Sequence, residues 1–197
     1  SELARTLEAE GIETELIQAG ARTTHGCIAC GKCRETGKCV FDDVVNETAP
    51  KLAEADALVI GAPVYYASPA GGAISFMDRL FHSTGIDMTM KVGASVVSCR
   101  RGGNAASFDV LNKYFTISQM PIISSTYWNM VYGSCQADAA QDAEGLQTAR
   151  NLARNMAWLL RSMTAAREAG VVPYEREVRV KTNFYKPEAA PNVQGEG

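Results

Sequence analysis

No apolar run in these 197 residues reaches the ~20 residues that cross a bilayer. No basic stretch leading into an apolar one marks a secretory leader at the start given. Charge of one sign is not in excess either: 19 lysines and arginines against 22 aspartates and glutamates leave −3. That mildly acidic balance argues against a nucleic-acid partner. Histidine is scarce, only His25 and His82, and no side chain presents itself as a general acid or base. The expected set of catalytic side chains is therefore empty.

What is present is an ordinary globular composition with one chemical anomaly. A chain of this length buries roughly 70% of its unfolded surface, so its core needs no metal or disulfide. Yet four of its six cysteines, Cys27, Cys30, Cys33 and Cys39, fall within thirteen residues of a loop spanning 26–41. Three short steps on one loop let thiolates converge on a soft centre, an iron-sulfur cluster or a zinc ion. Zinc more often takes two separated Cys-x2-Cys pairs, so the spacing favours a cluster over zinc; free thiols are the third reading. Thiols that bind metal must stay reduced, which implies the cytoplasm. Cys99 and Cys135 stand alone and read as small apolar fillers.

Strand and helix signals alternate along the chain. Helices are expected over Glu2–Glu10, from an Asp43 cap to Ala55, from Ser68 and Pro69 past Phe81, over Ala105–Ile117, and over Ala139–Ala166. Strands are expected at Ile12–Ile17, Ala57–Gly61, Lys91–Ser98 and Ile122–Thr126. The pattern is that of an α/β fold, a doubly wound parallel sheet. In the flavodoxin-like order 2-1-3-4-5 the strand before the first helix sits innermost. The given chain opens directly on a helix, so that strand and its phosphate loop are expected upstream, roughly 20 residues in all. Residues 1–169 form the expected domain, and 170–197 an extension whose strand-like stretch Val178–Phe184 suits a subunit contact.

The cysteine run ending CVFDD, then EADALVIGAPVYYASPAGGAISFMDRLF, KVGASVVSCRRGGN, MPIISSTYWNMVYG and VKTNFY resemble, in that order, the NADPH-dependent FMN reductase group, iron-sulfur flavoprotein branch. The resemblance implies a flavodoxin-like fold, FMN as cofactor, NAD(P)H as co-substrate, and a 4Fe-4S cluster on Cys27, Cys30, Cys33 and Cys39. It also implies homodimers or homotetramers, with ferredoxin or another redox protein as a possible partner. In open parallel sheets ligands bind beyond the carboxyl ends of the strands. That places FMN against Pro63, Val64, Tyr65, Tyr66, Ala67 and Ser68 after one strand, and Arg100, Arg101, Gly102 and Gly103 after the next. The plain alternatives are that both tyrosines roof the core and that RRGG is a surface turn. Asp78 and Arg79 read as a helix-surface ion pair or a flavin contact, and Trp128 and Asn129 as residues beyond the last strand that reach the flavin. Two other function classes stay open: a non-catalytic electron carrier, and a zinc-binding interaction module.

Overall fold

The structure is a computed structural model that describes residues 1–20, 22, 25–178 and 180. The first helix, α1 (Glu2–Ala9), starts where the Ser1 hydroxyl accepts the Ala4 N–H. A single turn, α2 (Cys33–Thr36), ends on Gly37 in the left-handed region. Helix α3 (Val44–Glu54) is capped by Asp43, whose carboxylate accepts the Val45 N–H, as its sequence foretold.

Strand β1 (Ala57–Tyr65) runs four residues further than ALVIG suggests. It turns at Tyr66 and Ala67 into β2 (Ser68–Pro69), which pairs back antiparallel, Val64 opposite Pro69 and Tyr65 opposite Ser68. Ser68 and Pro69 therefore do not open a helix. A proline that cannot donate is tolerated on so short an edge strand, and α4 (Gly71–Ser83) begins only after Ala70 has donated its N–H to Pro63 O.

Strand β3 (Val92–Cys99) lies parallel to β1 and is followed by α5 (Asn104–Ile117). Strand β4 (Met130–Tyr132) completes a four-stranded sheet of order β2-β1-β3-β4, parallel except for β2. The expected strand Ile122–Thr126 is reduced to one bridge, Ile122 to Gly93. Between that bridge and the pairing of Met130 with Val97, one strand advances eight residues against four on the other. The surplus loops out, and Asn129 spans the break by donating its side-chain N–H to Ser95 O at 3.0 Å. Trp128 and Asn129 thus precede the last strand.

The last helical stretch divides into α6 (Gln136–Ala139) and α7 (Ala143–Glu168). Asp142 makes the break, its carboxylate accepting the N–H groups of Gly145 and Tyr132.

Side chains of β3 alternate between two cores. Val92, Ala94 and Val96 meet α1 and α7 through Leu7, Leu152, Ala153, Met156 and Leu160. Val97 faces α3, α4 and α5 through Val45, Met77, Leu80, Leu111 and Phe115. Each fully buried Leu or Met contributes roughly 1.5–3 kcal/mol, so packing on both faces fixes the sheet. Three arginines of α7 pair with α1 and its C-cap, Arg150 with Glu2, Arg154 and Arg161 with Glu10, while Arg167 pairs with Asp56.

A further expectation fails. Residues Ile12–Ile17 form no strand: Ile12, Thr14 and Ile17 are half-buried while Leu16 is exposed. A strand needs a ladder partner, and none runs beside this segment among the described residues. In the tail, Val178 and Val180 are exposed and in no strand; the rest of Val178–Phe184 lies outside the described residues apart from Val180. No described helix is long and apolar enough to cross a membrane.

Candidate functional site

Two loops meet at the carboxyl end of the sheet. The β1–β2 turn has φ +50° at Tyr66 and +57° at Ala67, the signs of a type I′ turn, which favours Asn-Gly. Two residues with side chains hold that conformation at a cost, and such strain tends to gather at functional positions. Tyr66 projects fully into solvent and Tyr65 is mostly exposed, so neither roofs the core. The Arg100–Gly103 loop leaves β3 beside this turn. Gly103 sits at φ +88°, and a Cβ there would lie 2.6 Å from Ala67 Cα. Glycine is what permits the contact.

Of the ten residues expected to meet FMN, Pro63, Tyr65, Tyr66, Ala67, Ser68, Arg100, Arg101 and Gly102 are exposed, while Val64 and Gly103 are half-buried between the two loops. Pro63, Val64 and Tyr65 belong to β1 and Ser68 to β2, so the expected loop is a hairpin. Asn104 is tied to β4 by donating to the Tyr132 hydroxyl at 2.6 Å. Trp128 is exposed, 5.3 Å from the Tyr127 ring. Asn129 is buried, with its side-chain Oδ1 unpartnered, while its side-chain N–H and main-chain carbonyl both bond to β3.

The second constellation lies along α4. Cys27, Cys30, Cys33 and Cys39 line one cleft together with Ile28, Val40, Phe41, Arg79 and His82. All four are free thiols, the first two exposed and the others half-buried. Glycines at φ +71° (Gly31) and +68° (Gly37) bend the loop, and Ala29 is forced to +54°.

Cys39 is the most firmly held. The Asn46 side chain accepts its N–H and donates to its carbonyl, both at 3.0 Å, and donates to Phe41 O at 3.2 Å. Arg79 donates Nε–H to the Cys39 sulfur at 3.2 Å and grips Asp43 through both Nη atoms, at 2.7 and 2.9 Å. Its guanidinium lies 5.1 Å from the centre of Phe41, whose ring stacks on His25 at 4.3 Å.

Arg79 is therefore no surface partner of Asp78. Asp78 instead accepts from the Tyr114 hydroxyl. Burial pushes the Asp43 carboxyl up, but the hydrogen bonds from Arg79 and Val45 with the guanidinium charge outweigh it, and the net shift is downward. Burial pushes the Cys99 thiol up.

Among the described residues no three His, Cys, Asp or Glu side chains come close enough to chelate a single ion. A tetrahedral zinc site would hold its sulfurs about 3.8 Å apart, from Zn–S bonds of about 2.3 Å. The four thiols line one cleft without gathering on a single point.

Residues 1–134 match the family model described as NADPH-dependent FMN reductase. The chain belongs to that family. It is 33% identical over 156 residues to an iron-sulfur flavoprotein of Methanocaldococcus jannaschii, covering 75% of this chain and 81% of that one. An iron-sulfur flavoprotein of Methanosarcina thermophila is 28% identical, with 74% and 78% covered. Among solved structures, a WrbA-like flavodoxin of Agrobacterium tumefaciens superposes with a TM-score of 0.56 at 17% identity, over 82% of this chain and 88% of that one. The fold is flavodoxin-like, and membership makes the chain an FMN-dependent oxidoreductase.

Residue-level reading missed Arg79, His82 and Asn46 at the cysteine loop. For Arg79 the pair Asp78–Arg79 suggested a partner one residue away, whereas Asp43 lies 36 positions off. For Asn46 nothing in its neighbourhood signals a clamp.

Proposed function

We propose that this protein moves electrons between a reduced donor, NAD(P)H or ferredoxin, and an acceptor through FMN and a 4Fe-4S cluster on Cys27, Cys30, Cys33 and Cys39. FMN exchanges electrons in pairs or singly, and a cluster singly. The single observation that carries the reading is that all four thiols of one loop line one cleft on α4, the helix that begins just beyond the tyrosine turn.

The chain's own residues have definable tasks. Tyr65 and Tyr66 offer exposed ring faces to a planar isoalloxazine. Gly102 and Gly103 let backbone approach it, and Arg100 or Arg101 sets positive charge where reduction builds negative charge. Ile28, Val40 and Phe41 give the sulfur cleft an apolar lining. Homodimers or homotetramers and a cytoplasmic setting belong to the same reading, the latter because the thiols must stay reduced.

The test is anaerobic purification with flavin, iron, sulfide and zinc analysis. About four iron and four sulfide per chain with FMN is expected. Zinc in their place, or flavin with no iron, defeats the cluster. Flavin and iron without NAD(P)H or ferredoxin turnover would leave an electron carrier in place of an enzyme.

A further inference from the structure

Arg79 is more deeply committed to the cysteine loop than support of the fold requires. Its side chain is 1% exposed, and a guanidinium has five N–H donors. All five are used: Nε on the Cys39 sulfur, one Nη1 proton on Asp43 and the other on His25 O at 3.4 Å, one Nη2 proton on Asp43 and the other on Phe41 O at 3.2 Å. Every acceptor belongs to the segment 25–43. Its own helix supplies none.

The charges decide what this arrangement does. Asp43 lies in a two-pronged ion pair with Arg79, so the guanidinium's monopole is largely cancelled. What remains directed at the sulfur is the Nε–H bond. A donor aimed at a cysteine sulfur stabilises the reduced, more negative state of a centre bound there, and hydrogen bonds to sulfur are among the determinants of cluster potential.

We infer that Arg79 is a positioning residue that raises the reduction potential of the centre held by Cys39, acting through its Nε–H bond, with Asp43 as the counter-charge that limits the rise. The inference rests on the cluster reading above. It makes two predictions of opposite sign. Arg79→Lys keeps the charge but loses the Nε fork, so the potential falls. Asp43→Asn keeps the cap and frees the guanidinium charge, so it rises.

The experiment is a redox titration of the anaerobic holoprotein with mediator dyes, the reduced centre followed by electron paramagnetic resonance. At a fixed poise the reduced-to-oxidised ratio is expected to fall at least tenfold in Arg79→Lys and to rise in Asp43→Asn, tenfold being about 59 mV for a one-electron couple. Unchanged potentials, shifts of one sign in both variants, or loss of iron from both overturn the inference and leave Arg79 a structural support. Wild-type protein without iron overturns the cluster reading and this inference with it. Iron content measured first separates the two failures.

Discussion

Asp43→Asn probes how much stability the Arg79 clamp supplies. The substitution leaves shape and cap almost intact but removes the carboxylate paired with a cation that is 1% exposed. Breaking a fully buried pair from one side costs about 3–5 kcal/mol, because the remaining charge has no compensation. Here the loss is smaller, since Asp43 is 18% exposed and Arg79 keeps the Cys39 sulfur and the carbonyls of Phe41 and His25. One guanidinium proton then faces the new amide N–H unsatisfied, which alone costs about 1–3 kcal/mol. The expected destabilisation is about 2–3 kcal/mol. Urea unfolding of the metal-free chain at neutral pH reads it as a lower midpoint at unchanged slope.

The pH dependence supplies a second check. Asp43 has a folded pKa below its ordinary value. Its contribution is therefore complete above the unfolded carboxyl pKa, about 3.9, and drains away as pH falls through the lower folded value. The gap between wild type and variant should hold from neutral pH down to about 4 and close only below that. A gap under about 0.5 kcal/mol at neutral pH, within the range of ordinary surface substitutions, refutes the reasoning. So does a gap that closes well above pH 4.

Tyr66→Asn puts a residue that tolerates φ > 0 at the turn, so the protein should gain about 0.5–1 kcal/mol while FMN binds more weakly; calorimetry and flavin fluorescence titration read the two, and a gain in both would take the tyrosine out of the site. Gly93→Ala brings a Cβ to 2.6 Å from the Phe115 ring, an overpacking that costs about 1–3 kcal/mol; a Phe115→Leu partner should recover part of it, and additive losses in a double-mutant cycle would show that the two do not meet. Cys99, buried with its thiol pKa raised, should be the slowest of the six to alkylate in the metal-free protein by mass spectrometry. Alkylation of Cys99 as fast as exposed Cys135 would contradict its placement.

Helix positions were legible because propensity and caps act locally. Asp43 announces α3 by sequence alone, and the apolar stripe of Leu152, Met156 and Leu160 announces α7. The stops that misled depend on contacts distant in sequence. Asp142 breaks the last helix by reaching back to the Tyr132 N–H, and the Ile122 strand dissolves because four surplus residues must leave the ladder. The β1–β2 hairpin was hidden for another reason: Tyr66-Ala67 lacks the Asn-Gly chemistry that identifies a two-residue turn. At the site, cysteine spacing marked the loop, since ligand chemistry is written in residue type. The clamp was not marked, since a buried arginine looks like a surface one until its partners are known.

Helix α4 explains why the two loops should be considered one apparatus. Near its start a Cβ on Gly72 would lie 2.7 Å from Gly20 O, so the chain entering the cysteine loop is pressed onto the first turn of the helix. A turn later Ser75 faces Gly26, and a turn beyond that Arg79 holds Cys39. Eight residues separate Gly71 from Arg79, about 12 Å of helix rise. The tyrosine turn is covalently joined to the start of that span through β2, and the sulfur cleft is hydrogen-bonded to its end. A packed helix neither stretches nor compresses appreciably, so the distance between the turn and the thiols is set by α4, whatever either loop does on its own. In the electron-transfer reading proposed above, passage between FMN and the cluster depends on that distance. Placing both loops on one rigid element fixes that distance, and the missing side chain of Gly72 is what lets the chain entering the cysteine loop press onto the helix that carries Arg79.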